Sequence, residues 1–524
     1  MRTGFFRWFG AAKGRGSGYS LMTVGNLLAA FLTYARQAAI AKIFGATWLT
    51  DTFAVAQVFP VLVREIIAHT VGAIFLPVYS DVVINKGPET ARRLVSRLLT
   101  WIAIFGVIVS VLMILARHEL ISIIGPGLSL EGKALASTML VVMVPILVLS
   151  TLSGVLQGLC DFERRYGLTA LIRFGDVVIS LSAIIILSGP LGIMSLPVSV
   201  LAGAAGTFIL LLAIVKSLRF RYGMELSLAD PDFLRMLRNS LPILAGATLG
   251  LLAPVVDKVL ASYLAESSVT ALDYASKIVN LIFMILLMPL ITLTNVQLSA
   301  FSAKNDMRAF SREFRTMLNW NSAMMVPGSV ILAVLAVPLV SVLFQRGEFT
   351  HWDSELVGGA LLFYAPWLMT FSTNSILNRS FFALGDTLTP VLISVWGMLV
   401  NVMISIILIV PMGIGGLALG TSLASFGKTI LMVYFFRKKT GPIGGRVIAV
   451  EQGKILISAM IMAVVVIRMK NLIPFEIAGD IGLRVMSIAL RLAASVLVYL
   501  LVMLLLRSEV IGSVGAQLRS KRPD

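Results

Sequence analysis

The chain has 524 residues, of which 58% are hydrophobic and only 13% are charged, and its mean hydropathy is +0.94. Because soluble globular proteins carry about 25% charged residues, this composition excludes a soluble protein and predicts one that crosses a membrane many times. The net charge of +17 would suit nucleic acid, but the basic residues lie mainly between the apolar segments, where membrane orientation explains them. We therefore expect no nucleic-acid partner.

Apolar stretches of about 20 residues each predict about 14 transmembrane helices. In chain order they span residues 19–44, 52–81, 98–116, 136–159, 167–188, 193–215, 240–264, 270–300, 317–344, 356–383, 388–411, 414–436, 453–470 and 484–506. The first of them is long enough to span the bilayer and contains an arginine, so it is expected to be retained rather than cleaved as a signal peptide. The single cysteine excludes an internal disulfide.

Lysine and arginine are concentrated in alternate connections between these helices. The connection after the second helix contains Arg92, Arg93 and Arg97, whereas the one at residues 188–191 has no charge. Basic connections face the cytoplasm, so this alternation predicts a multi-pass membrane protein with both termini on the cytoplasmic side.

An internal repeat indicates how the helices are grouped. Residues 156–172 can be aligned without a gap to residues 377–393, and the two stretches lie at equivalent helix junctions. This spacing predicts two six-helix halves plus two extra helices, with a substrate site between the halves. The expected parts are a basic amino-terminal segment 1–18, an N-lobe 19–216, a linker 217–239, a C-lobe 240–436, a final helix pair 437–506 and a cytoplasmic tail 507–524.

Arg36 and Arg64 each lie inside a long apolar segment. A guanidinium near the bilayer centre costs roughly 2.5 to 3.5 kcal/mol, so such residues normally face a wet cavity or a partner. Neither arginine has an acid three or four residues away, and we interpret the two as a shared anion site. Guanidinium suits phosphate because its donors form a planar fork. Ion pairing across helices with Glu65 or Asp51 is the structural alternative.

Other charged residues in or next to the apolar segments allow simpler interpretations. Asp51 is explained as a helix cap or first-turn carboxylate about as well as by a role in the site. Asp273 and Lys277 are spaced to neutralise one another on one helix, and Arg173 and Asp176 are expected to form a satisfied pair.

Asp257 has no same-face partner on its own helix, because Lys258 points about 100° away. A buried carboxylate of this kind is a candidate for binding a cation or a proton. Asn401, Ser405 and Thr421 supply uncharged oxygens of the type that hard cations such as sodium prefer. Polar contacts that hold helices together are the alternative for these three residues.

An enzyme is not expected. The longest outward loop, residues 117–133, has no recognisable catalytic spacing. A cation-coupled drug exporter would need an acidic or apolar cavity, and a pure scaffold would not need Arg36 and Arg64.

Several stretches resemble the opening of the MurJ/MviN family of lipid II flippases, in the MOP exporter superfamily. They are residues 35–46, residues 50–56, the Pro60-x-x-x-Arg64 motif and residues 75–77, and residues 343–350 resemble a second signature of that family. The similarity covers residues 18 to 440. It implies an all-α polytopic protein of two six-helix lobes in a V shape that open alternately to either side, with a lipid-tail groove in the last two helices. It also implies transport of lipid II, an undecaprenyl-diphosphate-linked peptidoglycan precursor, from the inner to the outer leaflet.

The resemblance assigns roles to individual residues. The implied diphosphate ligands are Arg36, Arg64 and Lys277; the cavity and gating residues are Asp51, Gln37, Glu65 and His69; and the sodium ligands are Asp257, Asn401, Ser405 and Thr421. Sodium as the coupling ion is the only cofactor expected, and membrane lipids and the peptidoglycan-synthesis machinery are the further partners.

The chain departs from the family pattern at three of these positions. Gln37 stands where many members have an acid, Lys277 replaces an arginine, and Ser405 replaces a residue that is often a carboxylate or an amide. These departures leave open a flippase for another lipid-linked oligosaccharide, such as an exopolysaccharide or O-antigen unit.

Overall fold

The computed structural model describes the backbone of residues 16–163, 166–217, 220–472 and 481–512. Within these ranges the chain is almost entirely helical and contains no β-strand. The predicted all-α fold class is therefore confirmed. The described residues form two compact units, which divide in the sequence between Thr270 and Ala271.

The first unit contains the helices that begin before residue 262. They are α1 (Gly16–Phe44), α2 (Trp48–Ala56), α3 (Val58–Lys86), α4 (Pro88–Leu115), α5 (Arg117–Ile124), α6 (Leu130–Met143), α7 (Pro145–Phe162), α8 (Tyr166–Leu191), α9 (Ser195–Ser217) and α10 (Pro231–Ala261). Helix α1 packs on α8, α9 packs on α7 and α8, and α10 packs on α3. The core of this unit is built around Phe75, Leu94, Leu156 and Leu211.

The remaining helices begin with α11, which starts at Ser268 and continues into the second unit. They are α11 (Ser268–Ala303), α12 (Met307–Val334), α13 (Ala336–Phe344), α14 (His351–Ala383), α15 (Leu388–Met412), α16 (Ile414–Thr440), α17 (Gly445–Leu472) and α18 (Ile481–Leu505). In the second unit α16 packs between α14 and α15, and α17 and α18 pack on α12. Ile455, Met462 and Tyr499 contribute to the core that joins these last helices to α12.

Each predicted apolar segment lies in helix, but three of them are broken. The segment 52–81 divides into α2 and α3 at Gln57, and the segment 317–344 divides into α12 and α13 at Leu335. The segment 136–159 divides at Val144, where Pro145 begins α7 because proline is tolerated in the first turn of a helix. The short helix α5 lies in what the sequence predicted as a loop.

Ten helical segments of the described residues are long and apolar enough to cross a membrane. The protein is therefore a multi-pass membrane protein. The number of about 14 crossings, the lobe boundaries and the lipid-tail groove remain predictions.

Candidate functional site

Arg36 lies half-buried on α1, against α8. Its Nη1 donates a hydrogen bond to Ser180 Oγ at 3.2 Å. Asp176, one turn earlier on α8, is the acid whose charge acts on Arg36. Gly203 on α9 leaves space beside this carboxylate, because an added Cβ would lie 2.6 Å from Asp176 Oδ1. Arg36 therefore has an acidic neighbour on another helix.

Arg64 on α3 shares this electrostatic neighbourhood, because its charge acts on both Arg36 and Asp176. Its Nη2 also forms an ion pair of 3.0 Å with Oε1 of the adjacent Glu65. The side chains of Arg64 and Glu65 are 37% and 40% exposed, so an incoming group can reach them. The structure thus brings two guanidinium groups and two carboxylates together in the first unit.

The prediction that Arg173 and Asp176 form a pair was wrong. Arg173 is exposed, and the cationic neighbours of Asp176 are Arg36 and Arg64. Sequence spacing missed this because the partners lie on helices far apart in the chain. Asp176 was nevertheless detectable as the only acid within the predicted segment 167–188.

Asp51 is buried in the first turn of α2, as the sequence predicted, and its side chain caps a different helix. Its Oδ2 accepts a hydrogen bond from the Ser267 amide and its Oδ1 accepts one from the Thr270 amide, both at 2.7 Å. Ser267 directly precedes α11 and Thr270 lies in its first turn, where the exposed amide donors favour a carboxylate. The start of α2 is capped instead by Thr50, whose Oγ1 accepts from the Thr47 amide at 2.8 Å.

The remaining predicted cavity residues lie on α1 and α3. Gln37 is half-buried on α1, next to Arg36. His69 belongs to α3, but its side chain lies outside the described part of the structure.

Lys277 lies on α11 in the second unit. Its Nζ forms an ion pair of 2.6 Å with Asp273 Oδ2, which confirms the neutralising pair that the spacing predicted. The lysine side chain is 44% exposed, so this pairing leaves its ammonium group accessible.

The predicted sodium ligands are divided between the two units. In the second unit, Ser405 Oγ donates to Asn401 Oδ1 at 3.2 Å, and Thr421 Oγ1 donates to the same oxygen at 3.5 Å. Three neutral oxygens therefore converge where α15 meets α16, and such a donor set fits a hard cation. Asp257 lies on α10 in the first unit and is 5% exposed.

Lys428, in the middle of α16, was not among the predicted site residues. The signal was the one that identified the arginines, a single charge within an apolar segment.

Comparisons with known proteins agree with this architecture. The family model described as "Lipid II flippase MurJ" matches residues 40–479. The chain belongs to the MurJ family. Among curated members, the probable lipid II flippase MurJ of Buchnera aphidicola is 28% identical over 432 residues, covering 79% of this chain and 81% of the relative. The lipid II flippase MurJ of Burkholderia cenocepacia is 26% identical, covering 80% of this chain and 84% of the relative.

Solved structures show the same fold. A lipid II flippase MurJ in an inward closed conformation matches with a TM-score of 0.79 and 22% identity, covering 93% of this chain and 99% of that one. An inward-facing multidrug resistance MATE family transporter of the MOP superfamily matches with a TM-score of 0.68 and 15% identity, covering 80% and 95%. The MurJ family thus has the MOP-type transporter fold that the sequence predicted, and it is a family of transporters rather than of catalytic enzymes.

Proposed function

We propose that this chain is a flippase that carries lipid II from the inner to the outer leaflet of the bacterial inner membrane by alternating access. The observation that carries the proposal is the match of the MurJ family over residues 40–479, which includes Arg64. Similarity to proteins named as lipid II flippases favours lipid II over another lipid-linked oligosaccharide.

The site in the first unit has the chemistry to receive a diphosphate. Exposed ion pairs such as Arg64 with Glu65 contribute little to stability, so an incoming phosphate can replace the carboxylate at small cost. Arginine can hold a phosphate with two parallel hydrogen bonds. A diphosphate also carries more negative charge than the single carboxylate of Glu65. In the second unit, Lys277, with 44% of its side chain exposed, is proposed as a further cationic group for the diphosphate.

Neutralisation of the diphosphate by these cations would allow the protein to close around the headgroup. An inside-negative membrane potential would assist outward movement of negative charge by roughly 2.3 kcal/mol per charge per 100 mV, if the whole field is crossed. Asp51 would take part in gating, because it holds the first turn of α11 through two amides.

Sodium is proposed as the coupling ion. Within the second unit, Asn401, Ser405 and Thr421 would hold it through their three neutral oxygens. A cation-binding role for Asp257, in the first unit, stays a prediction. When bound, the ion would supply a positive charge that favours the return to the inward-open state. The orientation with both termini in the cytoplasm rests on the alternation of basic connections, and proteins of peptidoglycan synthesis are the proposed partners.

Complementation tests this function. The chain would be expressed in bacteria depleted of their own lipid II flippase, beside Arg64→Ala and a matched control, Arg308→Ala, at equal membrane abundance. Arg308 is an exposed residue in the first turn of α12, so its loss should be neutral. We expect the native chain and the control to prevent lysis and Arg64→Ala to fail. Lysis despite a correctly inserted native chain would contradict lipid II transport and favour a different lipid-linked glycan.

A further inference from the structure

Lys428 is a charge within the membrane that the proposed function has not used. It lies 14 residues after Ile414 and 12 residues before Thr440, the ends of α16. At a rise of 1.5 Å per residue, it is about 18 to 21 Å from either end of the helix. This exceeds the reach of a four-carbon side chain, so the ammonium group cannot extend to the membrane surface.

The side chain also faces away from the lipid. Leu423, Phe426, Ile430 and Tyr434 are between 46% and 61% exposed and mark the lipid-facing side of α16. Lys428 is two residues from both Phe426 and Ile430, and so about 200° around the helix from each. It shares the opposite side with the buried residues Ala424 and Met432.

A glycine makes room for this lysine. An added Cβ at Gly397 on α15 would lie 3.5 Å from both Cβ and Cδ of Lys428, so the lysine stem packs directly on the glycine. Side chains on a helix lean towards its amino end, which directs the ammonium group of Lys428 towards the level of Ser425 and Thr421.

No acid of the surrounding helices comes near. Helices α15 and α16 contain no acid, and the acids of α14 are Asp353 and Glu355 in its first two turns. Asp353 is 21 residues, about 30 Å, from Asn374, which bonds to the Lys428 region of α16. The ion pair of Lys439 with Asp386 is about 16 Å further along α16.

Uncharged polar groups line this part of α16. Asn374 Nδ2 donates to Ser425 Oγ at 3.3 Å, and Thr429 Oγ1 donates to Asn374 Oδ1 at 3.1 Å. Such groups help to solvate a charge, but they do not neutralise it. A lysine in this position costs roughly 2.5 to 3.5 kcal/mol in the membrane, so it normally has a partner that is an anion or lies in a wet cavity.

We propose that Lys428 binds an anionic oxygen group, a phosphate or a carboxylate, of the lipid-linked cargo within the second unit. The proposal rests on the proposed flippase function and adds a ligand to it. Lysine is a compact charge with three rotatable donors, so it suits a single oxygen group of either kind. The cargo offers two sources, the diphosphate and the carboxylates of the peptide that lipid II carries.

The test is binding of lipid II and of undecaprenyl diphosphate to the purified full-length chain. Lys428→Met keeps the length of the side chain and removes the charge, Lys428→Arg keeps the charge, and Lys304→Met is the control at an exposed lysine. We expect Lys428→Met to weaken lipid II binding about tenfold or more and Lys428→Arg to retain most of it. Weaker binding of both ligands would assign Lys428 to the diphosphate, and weaker binding of lipid II alone would assign it to the peptide carboxylates.

Thermal unfolding separates this role from a structural one. Loss of an uncompensated charge from the membrane should leave Lys428→Met unfolding at a higher temperature than the native chain. Unchanged affinity of Lys428→Met for both ligands would overturn the proposal, as would lower affinity accompanied by a lower unfolding temperature. If the native chain itself shows no binding that depends on Arg64, the proposed function fails first and this proposal fails with it. Arg64-dependent binding with no effect of Lys428→Met overturns this proposal alone.

Discussion

Two sites, one in each unit, treat charge inside the membrane differently. In the first unit, Arg36 and Arg64 lie with Asp176 and Glu65, so cations and acids balance. In the second unit, Asn401, Ser405 and Thr421 form a neutral cluster, and Lys428 on the same helix as Thr421 has no acid on α14, α15 or α16 within reach. A lone charge in an apolar segment is therefore not a signal of one kind of site. At Arg36 and Arg64 it marks a site that also contains acids, and at Lys428 it marks a site without an acid on the neighbouring helices.

The largest effect is expected from breaking the balance in the first unit. Arg36→Ala would remove the hydrogen bond to Ser180 and leave Asp176 with Arg64 as its cationic neighbour, and loss of one member of a buried charge group costs about 3 kcal/mol. The double variant Arg36→Ala with Asp176→Asn should recover most of that stability without recovering transport. Thermal unfolding of the purified variants measures the first effect. An Arg36→Ala variant as stable as the native chain would show that the charges are not balanced as described.

A smaller loss of stability is expected from breaking the contact between Arg97 and Asp230, which attaches the linker 217–239 to α4. Arg97 is buried on α4, and its Nη1 lies 2.6 Å from Oδ2 of Asp230, the residue that caps α10. Burial alone would raise the pKa of Asp230, but the Phe233 amide and the Arg97 guanidinium outweigh it and hold that pKa below its usual value. Arg97→Met should therefore destabilise the chain by about 2 kcal/mol.

The same contact sets a pH dependence. Because folding lowers the pKa of Asp230, its contribution to stability is present above the usual aspartate range and is lost as the pH falls through the lowered value. Unfolding temperatures measured across acidic pH should fall less steeply for Asp230→Asn than for the native chain. Equal slopes in the two proteins would count against this contact.

The smallest effect is expected in the neutral cluster of the second unit. Ser405→Ala removes one hydrogen bond to Asn401 and should cost about 1 kcal/mol. If this cluster contributes to a sodium site, sodium should raise the unfolding temperature of the native chain more than potassium does, and Ser405→Asp should enlarge that difference. Thermal unfolding in matched sodium and potassium salts measures it. The same response to both ions in the native chain, Ser405→Ala and Ser405→Asp would contradict the proposed sodium site.

Much of the fold was predictable because hydropathy and basic connections report directly on membrane helices. Two of the helix breaks had a visible cause in a proline close behind them, Pro60 after Gln57 and Pro145 after Val144. The two arginines were predictable as charges within apolar segments, and the ion pair of Asp273 with Lys277 was predictable from its spacing on one helix. The partners of Arg36 and Asp51 were not, because Ser180 lies 144 residues from Arg36 and Ser267 lies 216 residues from Asp51. Only packing brings such residues together.

The most direct test is movement of lipid II by the purified chain in sealed vesicles. Lipid II is placed in one leaflet, and its arrival in the other is followed with a reagent that cannot cross the membrane. We expect rapid transfer by the native chain and none above that of empty vesicles by the double variant of Arg36→Ala with Asp176→Asn, which should remain folded. Equal transfer by the two proteins, or no transfer by the native chain, would contradict this expectation.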